Sequence, residues 1–478
     1  MAQALPRRRG PPRTLPNEIL LEIFSFVGRN QPRLATLRSI ALASRTFKDL
    51  VTPILYSTFS ALEYAPDRDN LTAPMCFFLR TLIESPRLVK HVKDFKWEIC
   101  NQLDAEKALS AAEFEQVFQK ARDLNLHLNT PFWNILMDMK DATRDMDPLV
   151  AILLHLLPNL EKLSLTMVTI EDGFPEYLYP RPGGVLTIDT LTKVRALRLD
   201  AEDNMGDFVD LMPWLQLPSQ TALSLGAIAL DINVPTLGPL NLTSINIEGG
   251  FVEQPCLEGL LKSCQKLKSF SYEIDALGRP EENAATPEEM LITVREHASD
   301  TLVELKLRLI DPDPDSDAHW DWDDITEWDF AFRGLKNLKV LEIDAPFILG
   351  TDEYIRTDIH LTEVLPPSIT ELRLHVCGQR VLEEIGDLAR VTRLVYPALD
   401  HVDIDSFKTF FWTPAYLKDV QKRFRTADVA FDYSFDYDYY FSPSYEGDLC
   451  RAYDFAREWA SPALSGLMEV LISEKESE

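Results

Sequence analysis

Residues 160–165 read LEKLSL, and the same apolar spacing returns along most of the chain. Leu160, Leu163 and Leu165 give way to VRALRL (Val194, Leu197, Leu199) and to a copy at Leu223 and Leu225. LTSINI (Leu242, Ile245, Ile247) and LKSFSY (Leu267, Phe270, Tyr272) follow. LVELKL (Leu302, Leu305, Leu307), LKVLEI (Leu338, Leu341, Ile343) and ITELRL (Ile369, Leu372, Leu374) continue the series. VTRLVY (Val391, Leu394) is a weaker last copy, and VKDFKW (Val92, Phe95, Trp97) an early one. The last two apolar positions of each copy are two apart, so they fall on one face of a short strand. The first position, three residues earlier, closes the preceding turn. Helical or irregular segments such as PCLEGLLKSCQK, residues 255–266, lie between copies.

A strand plus a return segment, repeated, predicts an irregular leucine-rich-repeat solenoid of the α/β class, with parallel strands on its concave face. Central residues from Leu163 to Leu394 are spaced 22 to 36 apart. Regular repeats run about 20–29 residues, so several copies carry insertions. The Asn or Cys expected three residues past each triplet is mostly missing, Cys377 being the match. A doubly wound α/β fold is the rival architecture, but its buried strands would be more continuously apolar. Polar residues between and beside the apolar ones would line the concavity: Arg198, Asp200, Asn246, Lys306, Arg308, Glu342, Asp344, Arg373 and His375. Solenoids bind other proteins on such surfaces, and these nine are the candidate substrate-binding residues.

Net charge is −28 over 478 residues, unevenly spread. Residues 1–60 hold nine Lys/Arg against three Asp/Glu, a net of +6, which leaves −34 for the other 418. An acidic body repels nucleic acid and suits a basic or neutral protein partner. The six cysteines form no CxxC pair, and a chain of this size needs no disulfide staples. The N-terminal MAQALPRRRGPPR lacks the apolar core of a secretory signal. The longest apolar stretch, Leu149–Leu157, is too short to span a membrane. A cytoplasmic or nuclear setting is expected.

The basic N-terminus is also strongly apolar: RTLPNEILLEIFSFVGRNQPRLATLRSIALASRTFKDLVTPILYSTF spans residues 13–59. Pro16 suits a first helical turn. Ile19, Ile23 and Phe26/Val27 recur at helical spacing, flanked by Leu20 and Phe24. A second helical run holds Leu37, Ile40, Leu42, Phe47 and Leu50 and ends at Pro53. Fewer than 50 residues cannot bury so many apolar side chains internally. The surplus must face the rest of the chain or a partner.

Leu15-Pro16-x-Glu18-Ile19-Leu20-x-x-Ile23-Phe24 resembles the start of an F-box, and Leu37 to Phe47 its second half. Ala43, Ser44 and Phe47 depart from the Val-Cys and Trp common there, and TPILYSTF is similar to many fungal F-box proteins. The resemblance implies that Leu15, Pro16, Ile19, Leu20, Ile23 and Phe24 touch a Skp-type adaptor and through it a cullin. Leu37, Ile40 and Leu42 would be shared between that contact and the module's core. The chain would then be the substrate-recognition subunit of a Skp–cullin–F-box ubiquitin ligase, its repeats binding a protein substrate. The alternative is a leucine-rich-repeat scaffold uncoupled from ubiquitination.

The expected organisation is a basic tail (1–12), a helical F-box-like module (13–60) and a helical linker that starts the solenoid (61–158). The solenoid proper (159–430) and a C-terminal cap with an acidic tail (431–478) follow. Within the linker, AAEFEQVFQKARDL puts Phe114, Val117, Phe118 and Ala121 on one helical stripe. GRPEENAATPEE is a loop ending in a helix start at Thr286-Pro287. The acidic, Trp-rich stretch 311–330 reads as an exposed insertion rather than a calcium loop, because the glycine and terminal glutamate of such a loop are missing. No catalytic motif, metal-ligand cluster or cofactor-binding loop is present, so no enzyme activity, metal or cofactor is expected.

Overall fold

The alternation along each triplet becomes a strand. The structure, a computed structural model, describes residues 15–27, 33–60, 72–98, 110–126, 129–138, 147–167, 178–180, 184–201, 212–228, 238–250, 252–275, 285–310, 332–349, 359–375, 377, 379–406 and 414–435. The basic tail, the stretch 311–330 and the segment 436–478 lie outside the described residues. The chain divides into two compact units, Met1–Ile232 and Asn233–Glu478.

In the first unit, β1 (Thr58–Ser60), β2 (Asp94–Glu98), β3 (Lys162–Met167), β4 (Ala196–Ala201) and β5 (Ala222–Gly226) lie side by side in chain order. In the second, β6 (Ser244–Glu248), β7 (Ser269–Asp275), β8 (Glu304–Ile310), β9 (Val340–Asp344), β10 (Glu371–His375), β11 (His401–Ser406) and β12 (Ala430–Phe435) do the same. Neighbours within each unit pair in parallel. A doubly wound sheet reverses its strand order at a switch point; neither unit does.

Register follows from the triplets. Ile245, Phe270, Leu305, Leu341, Leu372, Val402 and Phe431 align across the second unit. All seven are buried. Each such side chain contributes roughly 1.5–3 kcal/mol by leaving water. A one-residue slip would turn the whole row outward, so the register is strongly specified. Just before each strand one backbone contact recurs: Val303 N donates to Lys268 O, Lys339 N to Val303 O, Thr370 N to Lys339 O and Asp400 N to Thr370 O, each at 2.8 Å. The turn-closing residues Leu160, Val194, Leu242, Leu267, Leu302, Leu338 and Ile369 are buried as expected. Gln220 holds that place before β5, 2 % exposed, with no partner for its amide among the described residues.

Helices make many of the connections. In the first unit these include α4 (Thr72–Glu84), α5 (Ala111–Asp123), α6 (Thr130–Asp138) and α7 (Asp147–Leu156), after the three N-terminal helices given below. In the second the longer ones are α8 (Gln254–Ser263), α9 (Pro287–Ala298), α10 (Gln379–Val395) and α11 (Pro414–Thr426). Val117, Phe118 and Ala121 are the buried stripe of α5, with Phe114 half-buried beside them. The expected start at Thr286-Pro287 is a capping box. Thr286 Oγ1 accepts from Glu289 N at 3.2 Å, and Glu289 Oε2 accepts from Thr286 N at 2.9 Å. Among the described residues no helix is long and apolar enough to cross a membrane.

Three expectations change. VTRLVY is not a strand: residues 391–395 end α10, and Leu394 is 88 % exposed. The strand in that place is β11, whose triplet is Leu399, Val402 and Ile404, all buried. The run from Leu37 to Leu50 is two helices, α2 (Arg33–Ala43) and α3 (Arg45–Leu55). Ser44 separates them by leaving the helical conformation and capping α3, its hydroxyl accepting from Phe47 N at 3.0 Å. Pro53 sits inside α3 rather than ending it. The early copy VKDFKW is strand β2, and Phe95 on it pairs with Phe59 on β1.

Candidate functional site: an exposed helix stripe and a charged sheet face

The N-terminal module is α1 (Asn17–Val27) with α2 and α3. Its fully buried core is small: Phe24, Leu37 and Val51. Leu20, Val27, Ile40, Phe47, Leu50 and Ile54 pack around them. Phe24 meets Phe47 edge to face, ring centroids 5.5 Å apart. The module runs straight into β1, where Ser57 O accepts from Lys93 N and Asp94 N at 2.9 and 3.0 Å.

Two apolar stripes run along α1. Leu20, Phe24 and Val27, spaced i, i+4, i+7, turn inward. Leu15 stands just before the helix, and with Ile19, Ile23 and Phe26 it makes a second stripe. These are 54, 43, 45 and 70 % exposed. Leu42, at the end of α2, is 88 % exposed. Of the residues the F-box resemblance singled out, Leu15, Pro16, Ile19, Ile23 and Leu42 are thus open to solvent. Leu20 and Ile40 are half-buried, while Phe24 and Leu37 are core. Phe26 joins the open set. Its place three residues past Ile23 was the signal for it.

The nine polar strand residues fall into two groups. On β4 in the first unit, Arg198 Nε donates to Asp200 Oδ2 at 2.7 Å. Asp200 leans over its register partner Gly226, where a Cβ would meet its carboxylate and push it aside. The other seven are on the second unit. Asn246 Nδ2 donates to Glu248 Oε1 at 2.6 Å on β6.

The remaining six build a ladder of ion pairs across β7–β11. Glu342 is its hub, only 12 % exposed, with Lys306 at 3.3 Å, Arg373 at 3.2 Å, His375 at 3.4 Å and Arg308 at 3.9 Å. Lys306 also pairs with Glu273. Arg373 Nε donates to Glu371 Oε1 at 2.8 Å. Asp344 is buried beside Arg308, 4.0 Å away. His375 reaches Asp405 on β11 at 3.6 Å. Burial alone would raise the Glu342 carboxyl, but His375 and Lys306 outweigh it and hold it down at about 2. Burial likewise opposes the charge on Lys306, and Glu273 and Glu342 outweigh it, so its pKa is raised. Glu273, Glu371, Asp405 and His401 belong to the ladder although the sequence reading did not name them. They occupy the same alternate positions in SFSYEID, ELRLH and HVDIDS.

The ladder is largely self-paired: its cations already face its own carboxylates. It orders the strand face more than it offers free charges. Cys76, Cys256, Cys264 and Cys377 are buried as thiols rather than disulfides, and burial pushes Cys76 and Cys264 up to about 12, which makes them poor nucleophiles. Cys100 and Cys450 lie outside the described residues. Among the described residues, no group of three or more His, Cys, Asp or Glu could hold a metal ion. Comparison of the chain with protein-family models finds no match, and neither does comparison with curated proteins.

Proposed function

We propose that the chain is a receptor subunit in which the N-terminal helices form an F-box that docks on a Skp-type adaptor. The two units behind it are read as irregular leucine-rich repeats that hold a protein substrate for a cullin ubiquitin ligase. The observation that carries this reading is the outward stripe of Leu15, Ile19, Ile23 and Phe26, together with the exposed Leu42 at the end of α2. Among its described residues, a module with a buried cluster of Phe24, Leu37 and Val51 keeps six large apolar side chains in water, these five and Leu21. Exposed apolar surface of this kind marks an interaction site. The LPNEIL sequence at its start adds the resemblance. In this reading the chain contributes proximity rather than chemistry.

The rival is a binding scaffold that meets the adaptor without feeding ubiquitination. Reconstitution separates the two. The chain is assembled with adaptor, cullin and a charged ubiquitin-conjugating enzyme, together with proteins that co-purify with it. The proposal expects ubiquitin on a co-purifying protein, lost with the Ile19→Ala/Ile23→Ala/Leu42→Ala chain. Adaptor binding with no transfer to any bound protein would favour the scaffold.

A further inference from the structure

The two rings of His375 and His401 are placed alike. Each stands on one strand of the second unit and spans to carboxylates on both neighbours. His375 on β10 has Nε2 3.4 Å from Glu342 on β9 and Nδ1 3.6 Å from Asp405 on β11. His401 on β11 has Nδ1 3.5 Å from Glu371 on β10 and Nε2 3.0 Å from Asp432 on β12. A neutral imidazole carries one N–H, so only one of its nitrogens can donate. The other would then turn its lone pair on a carboxylate. At His375 a charged ring is attracted to the carboxylates on both sides, which a neutral ring is not. His375 is the more enclosed of the two, its side chain 13 % exposed against 31 % for His401.

We propose that His375 is held as an imidazolium that clamps β9 to β11, making the polar face of these strands a proton-dependent latch. The charged groups around the ring come from three other strands. Arg308 on β8 opposes the proton, while Glu342 and Asp344 on β9 and Asp405 on β11 favour it. Arg373, on its own strand, is engaged by Glu371 and Glu342. Neither contact is a hydrogen bond at these distances, and with the proton present the charged ring sits between Glu342 and Asp405 and attracts both. With the proton gone, both carboxylates lose the positive ring between them and Asp344 remains close by, so like charges gather at one point of the sheet. Arg373 and Lys306 still hold Glu342, so the attraction to Asp405 on β11 is the one released.

The histidine sits below its ordinary value through burial and above it through Asp405 and Glu342, and the carboxylates win, so its pKa is raised from 6.5. Its stabilising contribution is therefore complete below 6.5 and disappears as pH climbs through the raised folded-state value. Asp405 is held below its ordinary value, chiefly by the same ring.

The test is ring ¹⁵N NMR on the full chain labelled at histidine, titrated from acid to alkaline pH, with His375→Gln assigning the signal. The expected result is a His375 ring with both nitrogens protonated at neutral pH, deprotonating only above the ordinary histidine value. In Asp405→Asn the transition moves to lower pH, and this variant keeps the side chain's shape. Thermal melts add a second readout: the native chain's advantage over His375→Gln is full below pH 6.5 and fades as pH rises. A single-N–H ring at neutral pH, or a transition unmoved by Asp405→Asn, overturns the latch. If His375→Gln does not fold, the Asp405→Asn titration decides alone.

Discussion

Phe24→Ala unfolds the N-terminal helices and leaves the strand units standing. Removing a buried phenylalanine costs about 3–5 kcal/mol when the cavity cannot collapse. Here the fully buried core is Phe24, Leu37 and Val51, and Phe24 also supplies the edge-to-face contact with Phe47. A core this small has little else to hold α1 against α2 and α3. The expected readout is rapid amide exchange throughout 17–55, with slow exchange retained at buried strand positions such as Leu341 and Leu372. Ile19→Ala, on a side chain 43 % exposed, should change stability by no more than about 0.5 kcal/mol. Slow exchange surviving in α1 of Phe24→Ala would show that the helices lean on something other than their own core.

Glu342→Gln lowers the stability of the second unit at neutral pH by about 2–3 kcal/mol. Breaking a fully buried ion pair costs about 3–5 kcal/mol. The figure is lower here because Glu342 keeps 12 % exposure and because Lys306 and Arg373 retain Glu273 and Glu371. The pH dependence gives the sharper check. The folded carboxyl is depressed from 4.5 to about 2. A depressed acid stabilises above its unfolded-state value and loses that contribution as pH falls through its folded one. The gap between native and Glu342→Gln denaturation midpoints should be full at pH 7, shrink below about 4.5, and close near about 2. A gap that stays constant from neutral to acid would mean Glu342 is not the hub of the ladder.

Much of the strand arrangement was legible because a parallel strand with one buried face writes period two into the sequence. Leu341 and Ile343, or Leu372 and Leu374, could hardly be placed otherwise. The failure at VTRLVY has a plain cause. Val391 and Leu394 are three apart, a spacing shared by a triplet's first step and a helix turn. The stripe of Val381, Ile385, Leu388 and Thr392 upstream, all buried in α10, decides for the helix. The break at Ser44 was missed because apolar residues continue past it, and only the cap betrays it. The outward set on α1 was visible as surplus apolar content. Which residues made up the surplus was not, because Phe24 and Ile23 are adjacent and equally apolar, and only packing against Phe47 sends Phe24 inward. The polar strand positions were found by alternation alone. Their mutual pairing was hidden, since it depends on register between strands some thirty residues apart.

The central claim is that the outward stripe of α1 and Leu42 is a docking face for a Skp-type adaptor. The direct measurement is calorimetric titration of purified full-length chain with purified adaptor, beside Ile19→Ala/Ile23→Ala/Leu42→Ala, with melting curves for both. At about 1.4 kcal/mol per tenfold, and about 1–1.5 kcal/mol for each truncated contact, the triple variant should bind roughly 100-fold or more weakly. It should melt with the native chain. Equal binding by both chains would move the contact elsewhere on the molecule, and binding by neither would remove the adaptor from the account.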